Sequence, residues 1–296
     1  MGLVSCTGKS TEVLSLSSGT DTSSGYIATI STDGNNRSFS IYDINGNYLN
    51  FTHFREENVL PRGLTVLDDD RILMSGDVTD SIYSLDLSSN KTLFYGSSQF
   101  AGGIYDLEYD STTDLIFAAE SNNIEVFDTD GNRITAMRIP NVTGACTLNT
   151  PVGMAINSSG NLVVTDVGGT DEILFYDIST TPPTCLNTIV VPNNPFAVLQ
   201  HSNGYLYIAT STDDRILRTD ADGSNSQVIW DADTTVINRP TALAELPNGN
   251  ILVGSSDTDT IEQITPAGER VGTTPFIQTP FTLNVSDIVI IGGQSE

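Results

Sequence analysis

Leu115-Ile116-Phe117-Ala118-Ala119-Glu120-Ser121-Asn122-Asn123-Ile124-Glu125-Val126-Phe127-Asp128-Thr129-Asp130-Gly131-Asn132 is the stretch whose reading decides the fold. It opens on a short apolar run, turns through Ser121 and Asn122, and continues as a segment in which Glu125 alternates with Ile124 and Val126. An apolar run of this length bounded by turn residues reads as a buried strand, and the alternation reads as a second strand. Asp, Gly and Asn then supply the positive backbone angles of a tight hairpin.

The same unit recurs along the chain. The apolar run returns at Tyr26-Ile27-Ala28-Thr29-Ile30, Ile72-Leu73-Met74-Ser75-Gly76, Leu162-Val163-Val164-Thr165-Asp166, Leu206-Tyr207-Ile208-Ala209-Thr210 and Ile251-Leu252-Val253-Gly254-Ser255. The copies are spaced by about 43 to 47 residues. An alternating strand follows each, as in Phe39-Ser40-Ile41-Tyr42-Asp43 and Ile173-Leu174-Phe175-Tyr176-Asp177. A further strand is expected after it, for example Arg133-Ile134-Thr135-Ala136-Met137 or Gln227-Val228-Ile229-Trp230. Another precedes the unit, led by Pro61, Pro151, Pro195 or Pro240. Four short strands per repeat match one propeller blade. Six copies predict an all-β fold: a six-bladed β-propeller of four-stranded antiparallel blades, its ring closed by the C-terminal strand.

Two stretches resemble the NHL-type repeat: Glu120 to Asp128, and Thr32-Asp33-Gly34-Asn35-Asn36-Arg37 with the strand Phe39 to Asp43. The resemblance covers nearly all of the chain after Gly25. It implies a propeller over 25–296 and is silent on activity, because propellers host enzymes, adaptors and sensors alike. For ring closure, Pro280-Phe281-Thr282-Leu283-Asn284-Val285 is read as joining the N-terminal blade. Val13-Leu14-Ser15-Leu16 is the other candidate for that strand, and Ile288-Val289-Ile290-Ile291 is left without an assigned partner.

The chain of 296 residues is long enough for a large core, and propellers of this size form one domain. It carries 37 acidic against 12 basic residues, a formal charge of −25. Such a surface repels phosphates, which excludes DNA, RNA and anionic headgroups as partners. No apolar stretch approaches the ~20 residues that span a bilayer. Membrane association is therefore expected only through a lipid.

Leu3-Val4-Ser5-Cys6 resembles the bacterial lipobox, in which a small residue precedes the cysteine that is lipidated. Residues 1–24 read as a lipobox remnant followed by a Ser/Thr/Gly tether, a composition that behaves as a flexible spacer. The basic and apolar parts of a signal peptide do not accompany it, and Met1-Gly2 is read as standing in their place. The alternative is a chance cysteine in a cytosolic N-terminus. Thr7 rather than Asp after the cysteine resembles outer-membrane sorting, facing either the periplasm or the cell surface.

Candidate site residues come from loop geometry. In an up-and-down blade, the loops between second and third strands share one face with the connections between blades. That face collects Asp33, Asp77, Asp80, Glu120, Asp166, Asp171, Glu172, Asp213, Asp214, Asp257 and Asp259, of which Asp33, Asp77, Glu120, Asp166, Asp213 and Asp257 are taken as the ring, joined by Arg62 and Arg239 in the connections. Loops on a rigid scaffold are where binding residues concentrate. The ring either binds a protein or glycan ligand, or a hard cation such as Ca²⁺ with Asp166 and Asp213 as candidate ligands. The other reading has each Asp accept amide hydrogens in its own loop, as Asx-turns do. The Asp-Gly-Asn turns on the opposite face lack the bidentate Glu of an EF-hand and read as hairpin turns.

Catalytic signatures are sparse. His53 and His201, assigned to an outer strand and a turn, are the two histidines, and no nucleophile elbow, P-loop or dinucleotide fingerprint occurs. The preferred reading is a monomeric, non-enzymatic, lipid-anchored envelope propeller that binds a ligand at its acidic mouth and needs no cofactor. The rivals are a divalent-metal lactonase or lyase and a purely structural surface protein. Cys146 and Cys185, in insertions flanking one blade, form an even pair that can bond in an oxidising compartment.

Overall fold

The apolar runs are buried on both faces: Ile72–Gly76, Leu206–Thr210 and Ile251–Ser255 are covered throughout. A strand covered on both faces needs a sheet packed against each side, and radially arranged sheets satisfy this for every blade. In the computed structural model the described residues are 25–32, 37–53 (50–53 as backbone), 59–68, 70–87, 90–96, 100, 102–278 and 284–292. They form six sheets in a ring, and no α-helix occurs among them.

Blade 1 contains β1 (Tyr26–Ser31), β2 (Ser38–Asp43) and β3 (Tyr48–His53); blade 2 contains β4 (Pro61–Val66), β5 (Ile72–Gly76), β6 (Ser81–Leu85) and β7 (Lys91–Gly96). Blade 3 is β8 (Ile104–Asp110), β9 (Leu115–Glu120) and β10 (Asn123–Asp128), followed by a small hairpin of β11 (Val142–Thr143) and β12 (Cys146–Thr147). Blade 4 holds β13 (Pro151–Ile156), β14 (Asn161–Asp166), β15 (Glu172–Asp177) and β16 (Thr184–Val190). Blade 5 holds β17 (Pro195–Gln200), β18 (Leu206–Thr210), β19 (Arg215–Thr219) and β20 (Gln227–Asp231). Blade 6 is β21 (Pro240–Glu245), β22 (Ile251–Ser255) and β23 (Thr260–Ile264), and the chain ends on β24 (Val285–Ile291).

β24 pairs antiparallel with β1 and becomes the innermost strand of blade 1. The inner strands β24, β4, β8, β13, β17 and β21 then neighbour one another in a closed circle. Ring closure by the C-terminal strand is therefore present, but its register differs from the expectation. The run Ile288 to Ile291 is itself part of the closing strand, facing Thr29 to Tyr26. Residues 280–283 and 13–16 lie outside the described residues, as do Cys6 and the whole of 1–24.

Six apolar clusters fill the six wedges between blades. Phe39, Ile41, Met74 and Leu85 close the wedge between blades 1 and 2, and Phe117, Val126, Val164 and Tyr176 the wedge between blades 3 and 4. At about 1.5–3 kcal/mol per fully buried large side chain, these wedges are the main stabilising term. The alternating third strands depart from expectation here: their polar members do not face water. Ser38, Ser40, Glu125 and Glu262 are all buried, because each blade is sandwiched on both sides.

Blades 3 and 6 lack a continuous fourth strand. Arg133 to Met137 forms an isolated bridge and a 3₁₀ turn over Thr135–Met137 where a strand was expected. The reason is Glu125, buried on β10, whose carboxylate takes Arg133 Nη2 at 2.5 Å and Arg138 Nε at 2.6 Å. Reaching one carboxylate from both arginines curls the intervening chain. Blade 6 likewise buries a carboxylate, Glu262, but pairs it with a single arginine, Arg270, at 2.9 Å.

The insertion after blade 3 runs along the seam toward blade 4, burying Cys146 and Leu148 beside Met137 and Tyr176. Cys146 on β12 and Cys185 on β16 are joined by a disulfide with Cα atoms 5.7 Å apart.

Candidate binding site at the channel mouth

Each inner strand begins with an irregularity at the same place. The register slips between Pro61 and Leu64, Ile104 and Asp106, Pro151 and Gly153, Pro195 and Ala197, and Pro240 and Ala242; on the β1 side it slips opposite Val285 and Asp287. These are β-bulges, which leave one residue unpaired and re-aim its side chain. The residues concerned are Arg62, Tyr105, Val152, Phe196, Thr241 and Ser286, and all six line a central cavity of about 420 Å³. The bulge repeats in every blade; the side chain it presents does not. The Arg62 guanidinium lies 6.0 Å from the Tyr105 ring centroid and pairs with Asp77 at 3.1 Å.

One residue deeper, the inner strands present Asp287, Gly63, Asp106, Gly153, Ala197 and Ala242. The two aspartates reach across to the next blade. Asp287 accepts the Leu64 N–H at 2.6 Å and its neighbour Ile288 N–H at 2.7 Å. Asp106 accepts Met154 N–H at 2.7 Å and Leu107 N–H at 2.8 Å. Glu108, two residues on, accepts Ile156 N–H at 3.0 Å. Gly63 makes this possible, since a Cβ there would sit 2.5 Å from Asp106 Cα and 2.8 Å from Leu107 N.

These three carboxyls are enclosed by strands and open only to the lumen. Burial, then the charge of Asp287 and that of Glu108, holds Asp106 well above the ordinary carboxylate range. Burial pushes Asp287 up to about 7 and Glu108 up to about 8, against the lowering effect of their amide hydrogen bonds. They were not singled out from the sequence. The strand Ile104–Asp110 reads as ordinary alternation, and only its position facing the lumen gives its acids a special environment.

The rim acids are arranged differently. Asp166, buried, accepts the N–H groups of Asn149, Thr150 and Gly168 at 2.5, 2.7 and 3.0 Å. Glu120 accepts Gly102 N–H at 3.2 Å. Asp213 takes the Thr210 hydroxyl at 2.6 Å and Asn193 Nδ2 and Arg215 Nη1 at 3.0 Å. Asp257 accepts the Ser256 hydroxyl and stands 3.7 Å from Arg239. Asp33 lies outside the described residues. A second set on the same face ties blade to blade: Asp171 to Asn194 N–H, Asp214 to Arg239 N–H and Asp259 to Asn284 N–H, at 3.0, 2.6 and 2.8 Å. Among the described residues no group of three His, Cys, Asp or Glu side chains is placed to hold a metal ion.

His201 sits at the other end of the ring, buried in a turn. Its Nδ1 accepts Asn203 N–H at 3.0 Å and its Nε2 is 2.9 Å from the Gly249 carbonyl oxygen. The His53 side chain is not among the described atoms. No helix of the described residues is long and apolar enough to cross a membrane.

No protein-family model matches the chain, and no curated protein sequence matches it. Solved structures do. A chain of a nidogen/laminin complex superimposes with a TM-score of 0.69 at 15% identity, covering 92% of this chain and 100% of that one. A protein of unknown function from Bacteroides caccae gives 0.67 at 13%, covering 91% and 99%. Virginiamycin B lyase from Staphylococcus aureus gives 0.59 at 16%, covering 77% and 73%. At such identities the likeness establishes the propeller fold and nothing finer.

Proposed function

We propose that this chain is a non-catalytic binding propeller that seats a protein loop or glycan at the channel mouth. One observation carries the reading: six structurally equivalent bulges present side chains of five kinds. A demand of the fold recurs in every blade, whereas a guanidinium, a phenol, a phenyl ring and a valine around one opening suit a shaped ligand, the Thr241 and Ser286 hydroxyls being spent on backbone carbonyls between blades. Phe196, Tyr105 and Arg62 supply the stacking and charge that recognition sites favour. The acidic rim, including Asp77 and Asp257 with their arginine partners, would add long-range attraction for a basic partner.

The setting we propose is the bacterial envelope, with the chain held at the outer membrane by lipid on Cys6 and its blades of NHL type. The Cys146–Cys185 bond supports an oxidising compartment. A diacyl or triacyl mass on Cys6 in native material supports the anchor, and an unmodified thiol there removes it. For the binding role, the full chain is screened against a glycan array and a displayed random-peptide library. Phe196→Ala and Arg62→Ala should abolish the hits, and Val228→Ala, on the outer strand β20, should keep them. Hits indifferent to both mouth substitutions would defeat the proposal.

The second reading is a lactonase or lyase, favoured by Glu108 and Asp287, whose raised pKa values suit a general acid. A divalent ion such as Ca²⁺ would be its expected helper. Against it, His201 is locked in a turn far from the mouth, whereas one neighbouring lyase structure is of a variant inactivated by replacing a histidine. Turnover of a lactone panel, quenched by chelator and by Glu108→Gln, would establish this reading in place of the first.

A further inference from the structure

The closing strand β24 is the inner strand that reaches its blade from the far end of the sequence, and beside its backbone ladder to β1 it is held by side chains of both neighbouring blades. Blade 6 holds its start through Asp259, which takes Asn284 N–H, and through the Thr241 hydroxyl, which donates to Val285 O. Blade 2 holds its middle: Ser286 Oγ donates to Arg62 O at 2.9 Å, and Asp287 accepts Leu64 N–H. Asp287 thus clasps the last strand of the chain to the first complete blade. The opposing carboxyl, Asp106, clasps blade 3 to blade 4 in the same layer, with only the bare Gly63 between them.

We propose that Asp287 and Asp106 form a proton-operated latch on ring closure, seating β24 firmly while at least one of them is protonated and loosening it when both are ionised. Two carboxylates facing one confined lumen cannot both hold full charge at low cost, and the repulsion bears on β24, which Asp287 ties to blade 2. The groups facing the pair are few. β8 adds Tyr105, Glu108 beside Asp106 and Asp110 at its end; β4 contributes Arg62, drawn to the rim by Asp77; β21 contributes Glu245, tied to Ser202 and 3.5 Å from His201 Nε2. β13 and β17 bring no titratable side chain. No cation among them stands between the two aspartates to absorb the charge. The displacement of Asp287 to about 7 by burial puts the change in a range that environments cross.

Hydrogen exchange of the full chain, read on peptides covering 285–291 and corrected for intrinsic rates, tests the latch. Protection of β24 should fall by about tenfold or more from pH 6 to pH 9, while that of β17 holds. Asp106→Asn should flatten the β24 profile. Because Asn offers one amide acceptor where Asp offers two, Glu108→Gln serves as the milder partner; it keeps an oxygen for Ile156 N–H and should move the fall to higher protection at each pH. A β24 profile without pH dependence, or an equal fall in every inner strand that survives both substitutions, would overturn the proposal.

Discussion

Asp128, in the turn after β10, and Asp287, on the channel wall, are both aspartates that accept backbone N–H groups. Asp128 takes Asp130 and Asn132 amides at 3.1 and 2.7 Å and the Asn132 side chain at 2.9 Å. Burial is the largest single influence and pushes its carboxyl up, but the hydrogen bonds together outweigh it and hold the group below the ordinary value; Asp43 behaves likewise with Asn45 and Asn47. Asp287 also has two amide donors, yet burial prevails and it moves the other way. The lesson is that hydrogen bonds alone do not set the acidity of a carboxyl. In the turn, water still solvates the charge; in the lumen, protein replaces that water and another carboxyl faces it.

The largest way to break this contrast is to fill the space the channel acids need. Gly63→Ala drives a methyl against Asp106 Cα and Leu107 N, both backbone-side atoms that cannot swing away. It should cost about 3 kcal/mol in urea unfolding, the upper range for overpacking. A neutral result would mean that Asp106 is not clamped between blades.

Next comes pH. Asp287 and Glu108 bind protons more tightly folded than unfolded, so stability is greatest while both are protonated. It declines as pH rises from their unfolded values near 4 toward about 7 and about 8. Asp128 and Asp43 work in the opposite sense: their stabilisation is present above about pH 4 and lost as pH falls below it. Calorimetry should therefore find Tm highest near pH 4–6 and lower at pH 9 by on the order of 5 °C. Glu108→Gln should shrink the alkaline decline and leave the acid limb alone. A Tm that climbs from pH 5 to 9 would reverse the assignment of the channel acids.

The two halves of the comparison also differed in how readable they were. Asp128-Thr129-Asp130-Gly131-Asn132 announces its turn because every interaction it makes is local. The six apolar runs and the prolines before β4, β13, β17 and β21 are equally local, which is why the blades were legible. Asp106 and Asp287 take their character from partners far along the chain, Leu64 lying 223 residues from Asp287. The mouth ring was half-visible: four of its members directly follow the prolines, but recognising Tyr105 and Ser286 requires the bulge register. Arg133 to Met137 misled because a strand pattern was overridden by Glu125, whose need for two arginines in a closed wedge outweighs local propensity.

A smaller effect sharpens the turn side. Asp128→Ala removes three acceptor contacts on an exposed hairpin and should cost about 1 kcal/mol at pH 7. The deficit should narrow as pH drops below 4, because protonation deprives the native Asp128 of the same bonds. Equal deficits at pH 7 and pH 3 would mean that the carboxylate charge does not matter there.

The smallest effect concerns whether rim and channel are electrically separate. Arg62 stands above the channel acids, but its guanidinium is engaged by Asp77 and reaches over Tyr105. A half-exposed pair of this kind contributes about 0–1 kcal/mol, so Arg62→Ala should lower Tm by roughly 2 °C or less. More telling is the shape of the pH profile, which should not move, because the channel acids are governed by burial and by one another. If removing Arg62 shifts the alkaline decline to higher pH, its charge reaches the lumen and already favours the ionised channel acids. The mouth would then sense protonation below it, and ligand affinity measured at pH 6 and pH 8 should differ in the native chain and converge in the variant.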